Sequence, residues 1–151
     1  MSVTVTGIDE FKRKMLSLGP DMFSAVDQGV KVTAGDIRTF AIKSIQEQSP
    51  GRMVKRSRQG GKGTYSHVAA ASGGAPNSDT GTLVRSISTE RLGDSEYAVG
   101  TNLPYGSHLE FGTKKTNGKS WPWLHPAMMA NTDNLMSNIH KVVNIYIGRL
   151  K

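Results

Sequence analysis

The chain of 151 residues contains no cysteine. That single absence excludes a disulfide framework, thiolate metal sites and a cysteine nucleophile. Long apolar runs are missing too: no stretch approaches the roughly 20 residues that a membrane-spanning helix needs. Aromatic residues make up only 7% and hydrophobic residues 36%, enough for the modest core of one domain over residues 1–151. The stretch MSVTVTGIDEF carries neither the basic segment nor the apolar segment of a secretory signal. The expected location is therefore a cytosol-like compartment, or an assembly built there.

Acidic residues are absent from one long interval. Between Gln48 and Asp79 there is no carboxylate, whereas Arg52, Lys55, Arg56, Arg58 and Lys62 all fall there. The net charge is +7, so this segment is a local polycation on a nearly balanced body. Residues 51–78 also hold six glycines and four serines, with few apolar side chains larger than alanine. Such a composition predicts a long, basic, Gly/Ser-rich loop at about residues 49–78. Loops of that length in compact domains are usually functional or disordered.

Elsewhere the apolar spacing predicts regular elements. Val3 and Val5 alternate with polar neighbours as in a short strand. Thr6 and Asp9 stand at capping-box spacing before Ile8, Phe11, Met15 and Leu18, a helical repeat. Gly19-Pro20 punctuates the chain, and Pro20 suits the first turn of a second helix. Its stripe runs through Phe23, Val26, Val30, Ala34, Ile37, Ala41 and Ile45. Gly29 and Gly35 each weaken that helix by about 1 kcal/mol relative to alanine, so packing must carry it. Asp79 is placed to cap a short helix reaching Ile87. Strands over Ser88–Leu92 and Glu96–Thr101 join at Gly93-Asp94 as a hairpin. Pro104 opens a helix expected to pack Tyr105, Leu109 and Phe111 onto the sheet, and Gly112 stops it. Met128, Leu135, Ile139, Val142, Tyr146 and Leu150 form the stripe of a last long helix. The predicted class is α+β: a small antiparallel sheet packed against two long amphipathic helices.

Catalytic patterns fail on inspection. Gly60-Gly61-Lys62-Gly63-Thr64 lacks the strand and the lysine–hydroxyl order of a phosphate loop. His67, His108, His125 and His140 show no metal-ligand spacing. His108 and Glu110, two apart, do not face each other on a helix. Gly106-Ser107-His108 precedes a helix stop rather than forming a strand-to-helix elbow. No catalytic residue, metal ligand or cofactor is predicted, and the chain is not expected to be an enzyme.

Three segments form a constellation. The first holds Asp79, Thr80, Gly81, Leu83, Ser86 and Ile87; the second holds Tyr105, Glu110, Phe111, Gly112 and Thr113; the third holds Pro122, Trp123, Leu124, Pro126 and Ala127. In order and spacing they resemble the minor tail-component family of long-tailed, lambda-like bacteriophages, which includes head–tail joining and tail-completion proteins. The family pattern reads DTG-x-L-x-x-SI, then Y-x-x-x-x-E-F-GT, then P-[FW]-L-x-P-A opening a C-terminal helix. His125, where arginine is common in the family, and the extended basic segment are departures. Physical reasoning gives these residues mainly fold work: Asp79 as a cap, Gly81 for close chain approach, Pro122 and Pro126 to stiffen the last helix entry. Trp121, just outside the matched core, is the candidate subunit contact.

The resemblance implies a structural subunit that forms a ring, commonly a hexamer, in the neck or tail end of a virion. Its expected partners are further copies of itself and other tail rings: terminator, stopper or connector, and tube. Arg52, Lys55, Arg56, Arg58 and Lys62 are then candidates for contact with a neighbouring ring, or for non-specific contact with genome DNA in the channel. A tail-terminator ring is the nearest alternative role. A free, non-sequence-specific DNA-binding protein is a more distant one, because the tryptophans lie far from the basic cluster and do not interleave with it.

Overall fold

The computed structural model describes residues 2–3, 19–58 and 60–149. The expected helix over Ile8–Leu18 with its Thr6/Asp9 cap, the strand position Val5 and the stripe residue Leu150 lie outside these residues. In chain order the elements are β1 (Ser2–Val3), α1 (Pro20–Gln46), β2 (Gly51–Ser57), β3 (Thr64–Ala70), α2 (Thr82–Ser86), β4 (Ser88–Gly93), β5 (Glu96–Gly100) and α3 (Pro104–Phe111). A 3-10 turn at Lys114–Thr116, α4 (His125–Thr132) and α5 (Asn134–Arg149) follow. The class is α+β. Two antiparallel sheets are present, one of three strands in the order β1-β5-β4 and one of two strands, β2-β3.

The predicted stripes form. On α1, Val26, Val30, Ala34, Ile37, Ala41 and Ile45 are all buried. The C-terminal stripe is divided between α4 and α5, with a break at Asp133. The expected long loop is corrected: most of it is a ribbon in which β2 and β3 pair from Gly51↔Ala70 to Ser57↔Thr64. Ladder bonds come from the main chain, so a stretch with few β-branched residues still forms strands once its ends are held. What remains irregular is the tip after Ser57 and the link from Ala71 to Gly81.

By internal packing the chain sorts into two compact units. One comprises Phe40–Ile87 with Thr101–Pro126; the other comprises Ser2–Thr39, Ser88–Gly100 and Ala127–Lys151. In the second unit, Val26 and Val30 of α1 bury against Ile139 of α5, with Tyr97, Leu135 and Val143 around them. Gly29 lets the two helices touch: a Cβ there would stand 2.7 Å from the Ile139 Cα. Asn138 of α5 donates to Thr33 Oγ1 (3.1 Å) and Asp36 Oδ2 (2.9 Å), which fixes the register of the helix pair.

Asp27 ties the β4–β5 hairpin to α1. Its carboxylate accepts from the Ser95 backbone N–H (2.8 Å), the Tyr97 hydroxyl (3.0 Å) and Arg91 Nη2 (3.3 Å). Burial, reinforced by the Asp27 bond, holds the Tyr97 phenol above the ordinary tyrosine value. The stability carried by that protonated phenol is present below the unfolded value of about 10 and is lost as pH rises through the higher folded value.

Two predictions follow from this packing. Gly29→Ala forces α1 off α5 and lowers stability by about 1–3 kcal/mol, despite the gain in helix propensity. Gly35→Ala, with no atom within 4 Å of its new Cβ, raises stability by up to about 1 kcal/mol. Urea denaturation of both variants checks the opposite signs. Secondly, the urea midpoint of the parent chain falls more steeply above about pH 10 than that of Tyr97→Phe, which lacks the titrating phenol.

Candidate functional site

The ribbon carries the charge. Residues paired across β2 and β3 share a face, so Arg52, Val54, Arg56, Tyr65, His67 and Ala69 lie on one side. Lys55 lies on the other side with Met53, which is 70% exposed. Arg58 and Lys62 flank the glycine-rich tip, closed by a bond from Arg58 N–H to the Gly63 carbonyl (3.1 Å). Seven extended residues span about 23 Å, so the cations are spread along both faces and the end of an arm.

Its base is clamped by side chains distant in sequence. Asn77 accepts from Ser49 N–H (2.6 Å) and donates to the carbonyls of Ser49 and Val68 (both 2.8 Å). The Trp121 indole N–H donates to the Ala70 carbonyl (2.8 Å). Asp79 does not cap α2: the cap position is Gly81, at φ 73° and without a side-chain cap bond. Instead Asp79 accepts from the Tyr65 hydroxyl (2.6 Å) and stands 3.7 Å from both Arg56 Nε and His67 Nδ1. The hydrogen bond to Asp79 pushes the Tyr65 phenol above its ordinary value. Asp79 therefore fastens the ribbon to the start of the first motif segment.

The second and third segments meet through a buried carboxylate. Glu110 is only 5% exposed. Its Oε2 accepts from the backbone N–H groups of Trp123 (2.8 Å) and Leu124 (2.9 Å), and its Oε1 from that of His125 (2.8 Å). These are donors that a helix start leaves without partners, and an anion there is also favoured by the helix dipole. Trp123 and Leu124 are fully buried beside it. Gly106, one turn before Glu110, shares this inner face and accepts at its carbonyl from the Trp123 indole (3.3 Å). Here α3 departs from the expected packing: it turns a glycine and a carboxylate inward. Tyr105 (41%) and Phe111 (70%) stay exposed, and Leu109 is half-buried.

Beyond α3 the chain makes a rigid turn. Gly112 sits at φ 74° and ψ −179°, a region open essentially to glycine alone. Thr113 and Thr116 form a reciprocal capping box, and Thr116 also donates to the Lys119 carbonyl (2.9 Å). This holds Lys114 and Lys115 outward, both exposed. Two hollows flank the region. One of about 430 Å³ is lined by Arg56, His67, Asp79, Leu83, Tyr105 and Trp121 among others. The other, of about 590 Å³, lies among Tyr105, His108, Leu109, Lys114, Lys115 and Trp121.

The three motif segments, apart from Ala127, thus fall in one unit. Ser86 bonds Thr101 at the approach to α3 (2.6 Å between hydroxyl oxygens), and Leu83 and Ile87 are core. Thr80 and Gly81 line the smaller hollow, while Pro122 is half-buried and Pro126 exposed. The candidate contact Trp121 is half-buried and bonded within the chain. Lys114, Lys115 and Lys119, absent from the residues singled out by sequence, belong to the same unit as the basic ribbon. Among the described residues this unit holds ten lysines and arginines against Glu47, Asp79 and Glu110, whereas the other holds five against seven carboxylates. The positive excess of the described residues belongs to one unit. Among the described residues no group of histidines and carboxylates is arranged to hold a metal ion, and no helix is long and apolar enough to cross a membrane.

The Glu110 arrangement makes a graded prediction. Glu110→Ala leaves three N–H groups without this acceptor, and the two buried ones, of Trp123 and Leu124, cost about 1–3 kcal/mol each, so stability should fall by about 2 kcal/mol or more. Glu110→Gln keeps an oxygen for some of them and loses less. Chemical denaturation orders the parent, Gln and Ala chains accordingly; equal losses would contradict the arrangement.

No curated protein and no solved structure matches the chain. A family model described as "Bacteriophage HK97-gp10, putative tail-component" matches residues 9–112. That span takes in α1, the ribbon with its Asn77 and Asp79 fastenings, and α3 through Glu110 to Gly112. With more than half of its length matched, the chain belongs to this family of bacteriophage tail components.

Proposed function

We propose that the chain is a structural subunit of the neck end of a phage tail, assembling as a ring of six copies that completes the tail and joins it to the DNA-filled head. It acts in the virion after assembly in the host cytoplasm. The observation that carries this reading is the segregation of charge in a tail-family member: an arm of basic residues, clamped at its base, on the unit that holds the motif residues. Arg56 is engaged by Asp79. Arg52, Lys55, Arg58 and Lys62 have no ion-pair partner among the described residues, and they suit the acidic surface of an adjoining ring. A tail-terminator ring draws on the same features and is the alternative role.

The spread of cations over both ribbon faces and the tip favours a second use, contact with phosphates of genome DNA in the channel. Such contact reads no bases and weakens steeply with salt. The test neutralises Arg52, Lys55, Arg56, Arg58 and Lys62 together by substitution with glutamine. Rings are expected to form as in the parent, measured as mass in solution and on tail tubes lacking the chain, while heads fail to join. Normal joining with poor DNA retention would assign the ribbon to the channel. A parent chain that stays monomeric with tubes and binds DNA tightly would overturn the ring reading.

A further inference from the structure

The larger hollow beside α3 has the chemistry of a docking site with a defined occupant. Its floor is Tyr105, Leu109 and Trp121, and its rim carries His108, Lys114 and Lys115. The rim is preorganised, because the capping box and Gly112 fix the turn that presents the lysines. Neither lysine has an ion-pair partner among the described residues. Tyr105, which lines the hollow, is 41% exposed, an apolar surface open to a partner.

The β4–β5 hairpin offers the complementary pattern. Leu92 is 50% exposed and stands between Glu90 and Asp94 in sequence. Glu90, Asp94 and Glu96 fall within seven residues. The hairpin's cation, Arg91, is already held between Asp27 (3.3 Å) and Asp94 (3.1 Å), so a negative excess remains. The Asp27–Ser95 bond fixes the turn, and the hairpin needs little ordering to bind.

Resting on the ring reading above, we infer that this hollow receives the β4–β5 hairpin of a second copy of the chain. Leu92 seats over Tyr105, Leu109 and Trp121, and Glu90 and Asp94 face Lys114 and Lys115. Groove and hairpin are different surfaces, so the contact is head-to-tail and repeats from copy to copy, the type of interface that generates rings. Opposite charges set which partner and which register are accepted.

Charge exchange on the full chain tests this. The pair Lys114→Glu with Lys115→Glu, and separately Glu90→Lys with Asp94→Lys, should each cut ring formation on tail tubes at least tenfold. All four substitutions in one chain should restore it; the affected side chains are exposed, and circular dichroism verifies that each variant folds. In a second assay Leu92→Cys and Lys115→Cys are combined in the otherwise cysteine-free chain, and oxidation should yield disulfide-linked ladders of copies. Rings formed normally by both pair variants, or failure of the four-fold variant to recover, would overturn the interface and leave the ring reading standing. A lysine-pair variant that assembles but loses salt-sensitive DNA binding would give these lysines to DNA instead. A parent chain that never assembles would overturn both readings.

Discussion

A carboxylate sealed from water must be saturated with hydrogen bonds, and Glu110 meets that demand through three main-chain N–H groups at the entry to α4. The constraint works in both directions. Trp123 and Leu124 are held fully buried because their amides are drawn onto the carboxylate. In turn α3 is rotated so that Gly106 and Glu110 face inward, leaving Tyr105 and Phe111 outside. The turn behind Gly112, the exposed lysines and the hollow beside them all inherit their positions from that rotation.

Much of this was legible in the sequence, and the reasons for the exceptions are physical. The stripe from Val26 to Ile45 follows from spacing alone, since a helix half-buried in a core needs an apolar residue every three or four positions. The three motif segments were visible as a set, and all but Ala127 fall in one unit. Their individual work was less visible. Spacing suggested that Leu109 and Phe111 pack inward, yet no local signal distinguishes a carboxylate that solvates itself from one that caps a distant helix. Asp79 carried the sequence signature of a cap, but Tyr65, 14 residues earlier, competes for it once the ribbon forms. The ribbon itself was hidden because its strands depend on fastenings from Asn77 and Trp121, far away in the chain.

Charge is partitioned more sharply in three dimensions than along the sequence. The basic interval between Gln48 and Asp79 was evident, but Lys114, Lys115 and Lys119 belong to the same unit only through folding. Carboxylates there do little to offset them, because Glu110 is turned inward and Asp79 is engaged at the ribbon base. Among its described residues the other unit is slightly acidic, with Glu90 and Asp94 exposed on the hairpin. Such a division leaves the two units with unlike surfaces, one strongly basic and the other not.

The ribbon has one more consequence. Its ladder is made of main-chain bonds, and its fastening to the unit sits at the base and at Asp79. Side chains such as Arg52, Lys55, Arg58 and Lys62 therefore contribute almost nothing to whether the arm exists. Substitution at these positions changes what the arm attracts without changing its shape. Substitutions along the arm can thus accumulate one residue at a time while every intermediate still folds.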